Sequence, residues 1–456
     1  MKSVTVKQLL QTPRKFNNKQ IKLSGWVKNK RASANIIFLA ISDGSSINTL
    51  QAVVKQEDNP QVFSLLQTVN LASAVMVWGE IILTPKAKQP LELKLKQVSL
   101  LAQAESDYPL QKKEHSQEFF RSNAHLRVRA KTYFAVMKIR SVLSHAIFEY
   151  FFKNDFILVQ SPILTSNDCE GAGETFVIKD SETFFNKTTF LTVSGQFGAE
   201  AFAQAFKKVF TFGPTFRAEK SHTNRHLSEF WMIEPEIAFA NLKDLMQLIQ
   251  NLIKFLIKKV MENASDELNV LAKQFSNDII SNLKTIISTK KFPIIEYSKA
   301  LAILKESSDT KKTNFELNDF SFGIDLKTEH ERFLCEQYFQ NQPLFVINYP
   351  KELKAFYMKT NTDNKTVAAV DLLLPKIGEI CGGSERESDL NQLKNRCQSL
   401  NIDTKSLNWY LDMRKWGYFA SAGFGLGFDR LLAYICGLEN IRDAIPFPRV
   451  HGTINF

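Results

Sequence analysis

The first hundred residues carry five short apolar segments separated by turn residues, and this pattern restricts how this part of the chain can fold. The segments are residues 21–27, 36–42, 50–54, 74–82 and 91–98. The turn residues between them are Asp43-Gly44, Asn59-Pro60, Pro85 and Pro90. Short strands at this spacing are typical of a small Greek-key barrel. The sequence therefore predicts an OB-fold, on whose exposed aromatic side chains the bases of a single-stranded nucleic acid can stack.

A polar loop follows a strand-like segment in the middle of the chain. Residues 216–230 hold two arginines, two histidines and two glutamates. Arginines at fixed positions of a loop can bind the phosphates of a nucleotide, a carboxylate can accept from the adenine amino group, and a phenylalanine can stack on the ring. This mixture favours an ATP site, and the alternative is a solvated polar loop.

A glycine-rich stretch near the C-terminus, residues 419–430, leads into the apolar run 431–435. The pattern predicts a strand followed directly by a helix, with Arg430 at the start of the helix. Glycines let a ligand approach the backbone closely. They also permit plain close packing, so this stretch alone is weak evidence of a ligand site. Together with the polar loop it is stronger.

These two segments resemble motifs 2 and 3 of the class II aminoacyl-tRNA synthetases, and the resemblance extends over nearly the whole chain. Other stretches that match the subgroup acting on aspartate, asparagine and lysine are residues 171–176, 193–196, 231–236 and 378–387. A helical spacing of apolar residues from Val136 to Ile147, followed by the strand-like run 156–162, resembles motif 1, through which class II enzymes dimerise. A homodimer is therefore expected.

The resemblance implies an α+β fold in which an OB-fold barrel precedes a catalytic domain built on a mostly antiparallel sheet flanked by helices. It places an anticodon-binding domain at residues 1–102 and a hinge at 103–130. The catalytic domain would cover 131–456, with a helical insertion at about 241–300. The implied partners are ATP, an amino acid and tRNA.

The resemblance also assigns roles within the ATP site. Arg217 would bridge the substrate carboxylate and the α-phosphate, and Arg430 would bind the γ-phosphate of a bent ATP, so these two are the predicted catalytic residues. Glu219 would accept from the adenine amino group, His226 would assist at the phosphates, and Phe230 would stack on adenine. The predicted ATP-binding residues are Arg217, Glu219, Arg225, His226, Phe230, Gly427 and Arg430.

Two acidic residues in the matching segment are the predicted Mg²⁺ ligands. Asp371 and Glu379 lie eight residues apart, and such a pair alone is weak evidence because exposed acidic pairs are common. Mg²⁺ usually binds one or two carboxylates together with nucleotide phosphates. The sequence has no cluster of histidine and cysteine residues, so it gives no indication of a zinc site.

The predicted amino-acid site contains Ser194, Gln196, Glu234 and Arg386, completed by residues 171–174. By the resemblance, Arg386 would donate to a side-chain amide oxygen and Glu234 would accept from the amide nitrogen. The aspartyl enzymes carry a lysine where this chain has Ala199 and usually an aspartate where it has Glu234. These two departures favour L-asparagine and tRNA(Asn). The alternative is an aspartyl enzyme, including one that charges both tRNAs.

Three residues of the predicted barrel are assigned to anticodon binding by the same resemblance. Phe38 would stack on the middle uridine, while Gln51 and Glu92 would read base edges. The alternative for Phe38 is a core residue, because it alternates with neighbouring apolar positions. Gln51 has the better claim, because it is polar within an otherwise apolar strand.

Composition limits the class of protein. The 456 residues are 44% hydrophobic, which is enough for two or three domains with a buried core. A net charge of +11 favours a polyanionic partner such as nucleic acid, although a lysine-rich surface without such a partner is equally compatible. The five cysteines form no C-x-x-C pair, which is typical of reduced thiols in a cytosolic protein. With no apolar signal sequence or membrane-length segment, a cytoplasmic location is expected.

Two other functions are less well supported by the sequence. A binding protein with an inactive synthetase-like domain would be favoured by loss of the motif arginines, but Arg217, Arg386 and Arg430 are all present. A tRNA-independent asparagine synthetase on the same catalytic fold would have no need of the N-terminal barrel.

Overall fold

The computed structural model describes most of the chain as two compact units. The described residues are 4–87, 89–167, 174–221, 223–310, 313–402 and 404–456. The first unit extends to Phe134 and the second begins at Ala135. Within these residues, no helix combines the length and apolar character that a membrane span requires. The domain limits at residues 102 and 130 stay a prediction.

The helices are mostly short, and within each unit they lie between the strands along the chain. Their bounds are α1 (Val6–Gln11), α2 (Pro60–Thr68), α3 (Gln117–Ser122), α4 (Ala124–Arg127), α5 (Lys131–Lys153), α6 (Ser181–Phe185), α7 (Gln196–Phe206), α8 (Leu242–Asn263), α9 (Ser265–Gln274), α10 (Ile279–Ser288), α11 (Tyr297–Asp309), α12 (Thr328–Arg332), α13 (Leu390–Ser399), α14 (Asn408–Asp412) and α15 (Phe428–Cys436). The short α3 and α4 lie in the segment that the sequence predicts as a hinge.

The first unit contains a closed barrel of five strands in the order β1-β2-β3-β5-β4. The strands are β1 (Gln20–Ala32), β2 (Ile36–Ser42), β3 (Leu50–Lys55), β4 (Ala74–Leu83) and β5 (Leu91–Ala102). Side chains alternate between the core and the outer surface, so Ile37, Leu39 and Ile41 of β2 are fully buried. The barrel confirms the OB-fold that the spacing of apolar segments predicts.

The helix α2, between β3 and β4, was not predicted. Asn59-Pro60 was interpreted as a turn, but these two residues begin a helix. The Asn59 side chain accepts from the backbone N–H of Val62 at 3.1 Å, and Pro60 occupies the first helical position, where a missing N–H costs nothing. Val62, Phe63 and Leu66 then pack into the barrel core.

The second unit is built around an eight-stranded sheet in the order β11-β12-β13-β14-β15-β10-β9-β6, and β7 and β8 form a separate pair. Its strands are β6 (Ile157–Leu158), β7 (Leu164–Thr165), β8 (Phe190–Leu191), β9 (Lys208–Phe216), β10 (Glu229–Ala238), β11 (Ile294–Glu296), β12 (Leu344–Ile347), β13 (Ala369–Leu374), β14 (Gly378–Glu385) and β15 (Ser421–Gly427). Only the outer pairs, β11 with β12 and β6 with β9, are parallel. The mostly antiparallel sheet flanked by helices confirms the predicted α+β class.

The centre of this sheet places the two predicted ATP-binding segments side by side. The polar loop 217–228 joins β9 to β10, and β15 is the glycine-rich strand that pairs with β10. As the sequence predicts, β15 runs directly into α15, which ends at Cys436 and is followed by Gly437 in the left-handed region (φ 67°). The two predicted ATP-binding segments therefore lie on neighbouring strands.

Candidate active site

A cavity of about 310 Å³ opens over the central strands of the second unit. Thirteen of the site residues that the sequence predicts in this unit line it, namely Ser194, Gln196, Arg217, Glu219, Arg225, His226, Phe230, Glu234, Asp371, Glu379, Arg386, Gly427 and Arg430. Their individual roles stay predictions. Of the expected pocket residues 171–174, residues 171–173 lie outside the described residues, and Glu174 is exposed and does not line the cavity.

Residues Arg217 and Phe230 meet at the mouth of the polar loop. The loop closes where the backbone N–H of Arg217 donates to the carbonyl of Ser228 at 3.0 Å. The Arg217 guanidinium then lies 5.3 Å from the centre of the Phe230 ring. A cation and an aromatic face in contact form a surface on which a planar base and a phosphate can both be bound.

Positive charge gathers at one end of the cavity. The Arg225 guanidinium donates to the Thr328 hydroxyl at 2.6 Å, and Arg430 donates to the carbonyl oxygen of Glu379 at 3.2 Å. Burial, and the nearby charge of Arg430, lower the pKa of Arg225. The two guanidinium groups repel each other. A polyanionic ligand would relieve this repulsion, so this end of the cavity favours one. His226 lies 3.7 Å from Glu219 on the same loop.

An acidic group occupies the neighbouring part of the cavity. A Cβ added to Gly382 would lie 3.2 Å from an Asp371 oxygen and 3.3 Å from a Glu379 oxygen, so both carboxylates face the same space. Glu331 accepts from the backbone N–H of Glu379 at 3.0 Å. Burial and the charge of Glu379 raise the pKa of Glu331 to about 8. At neutral pH the Glu331 carboxyl therefore holds a proton.

Lys354 is the cation that faces this acidic group, and sequence reasoning missed it. Its ammonium donates to both oxygens of Asp371, at 2.8 and 2.6 Å. Burial alone would lower the pKa of Lys354, but the carboxylates of Asp371 and Glu379 raise it. No local pattern around Lys354 signals this role, because its partner is 17 residues away on another element.

The end of the cavity that is predicted to bind the amino acid is formed around Glu234. Its carboxylate accepts from the Ser194 hydroxyl and from the backbone N–H of Gly195, the latter at 2.8 Å. Burial raises the pKa of Glu234, while these two donors lower it. The amide nitrogen of Gln196 is buried without a hydrogen-bond partner among the described residues. The amide N–H of Gln196 is therefore available to donate to a ligand, and the Glu234 carboxylate is available to accept from one.

Arg386 is held by a second glutamate that sequence reasoning also missed. Its guanidinium binds Glu236 through two nitrogens, one of them at 3.1 Å, and donates to the Ser384 hydroxyl at 2.8 Å. Burial alone would lower the pKa of Arg386, but the Glu236 carboxylate raises it. Glu236 could have been found, because it lies two residues from Glu234 and so faces the same side of the strand β10.

Gly423 makes room for this ion pair. It lies opposite Glu236 on β10 and opposite Ser384 on β14. A Cβ at Gly423 would overlap the Glu236 carboxylate. The glycine-rich stretch could serve either ligand approach or close packing, and at residue 423 the reason is close packing. Gly427, by contrast, lines the cavity.

Asp429 anchors the start of α15. It accepts from the backbone N–H of Trp231 at 2.8 Å and forms an ion pair with Arg140 of α5. The following residue, Arg430, is thereby fixed at the edge of the cavity. The sequence signal for Asp429 was present, since an acidic residue in the first helical turn is favourable.

Ala199 does not line the cavity. Its side chain is fully buried in an apolar cluster with Val159, Ala203 and Val209. The position where the aspartyl enzymes carry a lysine is therefore part of the core in this chain. A long cationic side chain at residue 199 would displace that cluster.

The three predicted anticodon residues share the outer face of the barrel. Phe38 is half-buried and points away from Ile37 and Leu39, so it is not part of the barrel core. Gln51 donates through its amide nitrogen to a carboxylate oxygen of Glu92. The structure therefore brings the polar pair together on neighbouring strands, with Phe38 on the same face.

Comparisons with known proteins agree with this arrangement. The model of the family tRNA synthetases class II (D, K and N) matches residues 116–451, and the OB-fold nucleic acid binding domain matches residues 21–101. The asparagine–tRNA ligases of Mycoplasma pneumoniae and Mycoplasmoides gallisepticum are 69% and 50% identical to this chain, each over 100% of both chains. The crystal structure of asparaginyl-tRNA synthetase from Pyrococcus horikoshii complexed with asparaginyl-adenylate has a TM-score of 0.89 at 33% identity, covering 100% of this chain and 99% of that one.

The packing at Gly423 gives a stability prediction. Gly423→Ala should lower the free energy of unfolding by about 3 kcal/mol or more, because the methyl group would separate Glu236 from Arg386 and leave buried charges unpaired. Gly213→Ala, on the strand β9, is the control, since no atom lies within 4 Å of an added Cβ there. We expect the control to change stability by less than about 1 kcal/mol. Equal urea midpoints for the two variants would contradict this account.

Proposed function

The chain belongs to the class II tRNA synthetases for aspartate, lysine and asparagine, and from its full-length identity of 69% and 50% to two asparagine–tRNA ligases we infer that it ligates asparagine to tRNA. It is an ATP-dependent aminoacyl-tRNA ligase. In the first step the α-carboxylate of asparagine attacks the α-phosphorus of ATP, which yields asparaginyl-adenylate and releases pyrophosphate. In the second step a ribose hydroxyl at the 3′ end of tRNA attacks the carbonyl carbon of the adenylate, and AMP leaves.

One observation carries this function beyond the family. A single cavity joins an arginine-rich end, where Arg225 and Arg430 lie, to an end where Glu234 and Arg386 offer one acceptor and one donor group. Activation of a carboxylate by ATP requires both ends at once, because the attacking oxygen must be placed in line with the α-phosphorus. Arg217 lines the same cavity, and its charge acts on Glu234, so we assign it the contact with both the carboxylate and the phosphate.

The protein's part in activation is positioning and charge stabilisation. In-line attack on phosphorus builds negative charge on the phosphate oxygens, and preorganised cations stabilise that charge. We assign this to Arg217 at the α-phosphate and to Arg430 at the γ-phosphate, with Arg225 and His226 along the phosphates. Glu219 and Phe230 hold the adenine. No side chain of this set needs to act as a nucleophile.

Mg²⁺ fits the acidic group in the cavity. Asp371 and Glu379 face one space beside Gly382, and both offer the hard oxygen donors that Mg²⁺ prefers. Among the described residues, no group of three or more histidine, cysteine or acidic side chains has metal-ligating geometry. Two carboxylates suffice for an ion that takes its other ligands from phosphates and water. When bound, Mg²⁺ would supply charge neutralisation at the phosphates of ATP.

The electrostatics of the amino-acid end favour asparagine over aspartate. Arg386 is already neutralised by Glu236, so it offers N–H donors with little net charge. Glu234 lies beside it as an acceptor that is 4% exposed. An amide satisfies both groups, whereas the carboxylate of aspartate would lie against Glu234. The runner-up activity, aspartate–tRNA ligation, lacks a second cation here because residue 199 is a core alanine.

The preference for asparagine is directly measurable. In ATP–pyrophosphate exchange, asparagine should be used better than aspartate by a factor on the order of a thousand, from repulsion and an unpaired buried acceptor. Arg386→Leu should abolish exchange with either amino acid.

Ala199→Lys should mainly destabilise the fold, since its site is a packed apolar cluster. Comparable exchange rates with both amino acids in the unchanged chain would favour the aspartyl alternative.

The barrel is the proposed reader of the tRNA anticodon. An aromatic side chain that is half-exposed, such as Phe38, can stack on a base, and the neighbouring polar pair of Gln51 and Glu92 can bind base edges. The net charge of +11 favours association with the tRNA backbone. A cytoplasmic location, where ATP and tRNA are both present, belongs to the same proposal.

Base reading and amino-acid activation should separate in mutants. Gln51→Ala and Glu92→Ala should each weaken tRNA charging by about 1–3 kcal/mol, because a lost base contact costs that much, while exchange stays unchanged. Gln97→Ala is the control, since Gln97 is an exposed residue of the same strand as Glu92. A parallel fall of charging and exchange would argue against the barrel as the anticodon reader.

The active enzyme is proposed to be a homodimer that pairs through the motif 1 segment. Phe152 at the end of α5 and Ile157 on the edge strand β6 are 54% and 45% exposed. Apolar residues beside an open strand edge are typical of a surface that another chain covers. A twofold interface would place the same patch of each subunit in contact.

Sedimentation tests the dimer. The chain should sediment at about twice its mass of 52.1 kDa at micromolar concentration. Ile157→Lys should shift it towards the monomer, because a charge would be buried without a partner. Ile294→Lys is the control, since Ile294 is 41% exposed on β11, at the opposite edge of the same sheet. A monomer of the unchanged chain would contradict the proposal.

A further inference from the structure

A buried ion pair lies behind the amino-acid end of the cavity without lining it. Arg414 donates to a carboxylate oxygen of Glu200 at 2.6 Å, and neither side chain is exposed. The hydroxyl groups of Tyr410 and Tyr418 donate to the same carboxylate at 2.8 and 2.6 Å. The described lining of the cavity includes none of these residues. The assigned chemistry therefore leaves this network without a role.

Glu200 is charged in this setting. Burial alone would raise its pKa, but the guanidinium groups of Arg414 and Arg386 and the two tyrosine hydroxyls lower it. A buried ion pair contributes little net stability compared with apolar residues of the same volume, because desolvation offsets the attraction. A stabilising role alone therefore does not account well for four polar side chains in one buried cluster.

The network reaches one wall of the amino-acid end through α7. Gln196, which lines the cavity, is the first residue of this helix, and Glu200 follows one turn later. Residues four positions apart lie on the same face of a helix. Glu200 therefore fixes the helix that begins with Gln196, and the Phe197 ring stacks on Tyr410 at 4.1 Å to reinforce the same contact.

The network reaches the other wall through the backbone on both sides of Arg386. Arg414 donates through Nε to the carbonyl oxygen of Glu387 at 3.0 Å. Tyr418 shares a hydrogen bond with the Ser421 hydroxyl, and the Ser421 carbonyl accepts from the backbone N–H of Arg386 at 2.8 Å. The backbone N–H of Arg386 and the carbonyl of the next residue are therefore both bound by groups that are hydrogen-bonded, directly or through Tyr418, to Glu200.

We propose that Glu200 and Arg414 are positioning residues that set the separation between the Gln196 wall and the Arg386 wall, and thereby the selection of asparagine. This inference rests on the proposed function. Neither residue touches substrate. The ATP end of the cavity, where Arg430 and the acidic group lie, has no described hydrogen bond to this pair, so its affinity should not depend on it.

The test uses the full chain with Glu200→Gln, Arg414→Gln and the double variant. In ATP–pyrophosphate exchange, each should raise the KM for asparagine about tenfold or more, because a small misplacement of a binding group is costly. The KM for ATP should stay within about twofold. The ratio of asparagine to aspartate use should also fall. The double variant removes both charges, so it avoids the unpaired buried charge that could unfold either single variant.

Glu149→Gln is the matched control. Glu149 is an ion-paired glutamate that accepts from Lys153 and Lys259, on helices that do not line the cavity. This variant should leave both KM values unchanged. Thermal unfolding of every variant separates a loss of fold from a loss of positioning.

Two results would overturn the inference alone. One is a double variant with the KM for asparagine of the unchanged chain, which would mean that the pair serves only stability. The other is a parallel rise of both KM values, which would mean general distortion of the cavity. If the unchanged chain shows no asparagine-dependent exchange, the proposed function fails and the inference fails with it.

Discussion

The pairing of buried carboxylates with guanidinium groups is the constraint around which the catalytic unit is arranged. Glu236 with Arg386, Glu200 with Arg414, and Asp429 with Arg140 each join two elements that are distant in sequence. A charge removed from water is costly unless its partner has good geometry. Each pair therefore demands a definite backbone separation. The sheet meets that demand with glycine at residue 423, where any side chain would occupy the space of a carboxylate.

Local sequence patterns predict the parts of the fold that depend on the periodicity and conformational preferences of neighbouring residues. The alternation of apolar residues fixed the five barrel strands, and the change from a glycine-rich run to an apolar run located the start of α15. The helix α2 was missed because Asn and Pro favour both turns and helix starts. Which one forms depends on whether Val62, Phe63 and Leu66 find a core, and that is a tertiary property.

The candidate site divides in the same way. Residues inside the recognised motifs, such as Arg217 and Arg430, were identified because the motif itself states their chemistry. Lys354, Glu331 and Arg414 were not, because each acquires its role only from a partner on another element. Glu236 lies between these cases, since strand periodicity alone places it beside Glu234. A sequence shows what a segment can do, whereas long-range contacts decide which charges are satisfied.

The hydrogen bond between Gln51 and Glu92 has a consequence for recognition on the barrel. In the free protein one amide N–H of Gln51 is bound to one oxygen of Glu92, so these two atoms are already paired. A base that binds these two atoms must first break their bond. One with complementary edges replaces it, while one without them leaves two polar groups unsatisfied in the complex. On the proposed anticodon face, this bond would lower the affinity for any nucleotide that uses the two atoms but widen the difference in affinity between matching and non-matching ones.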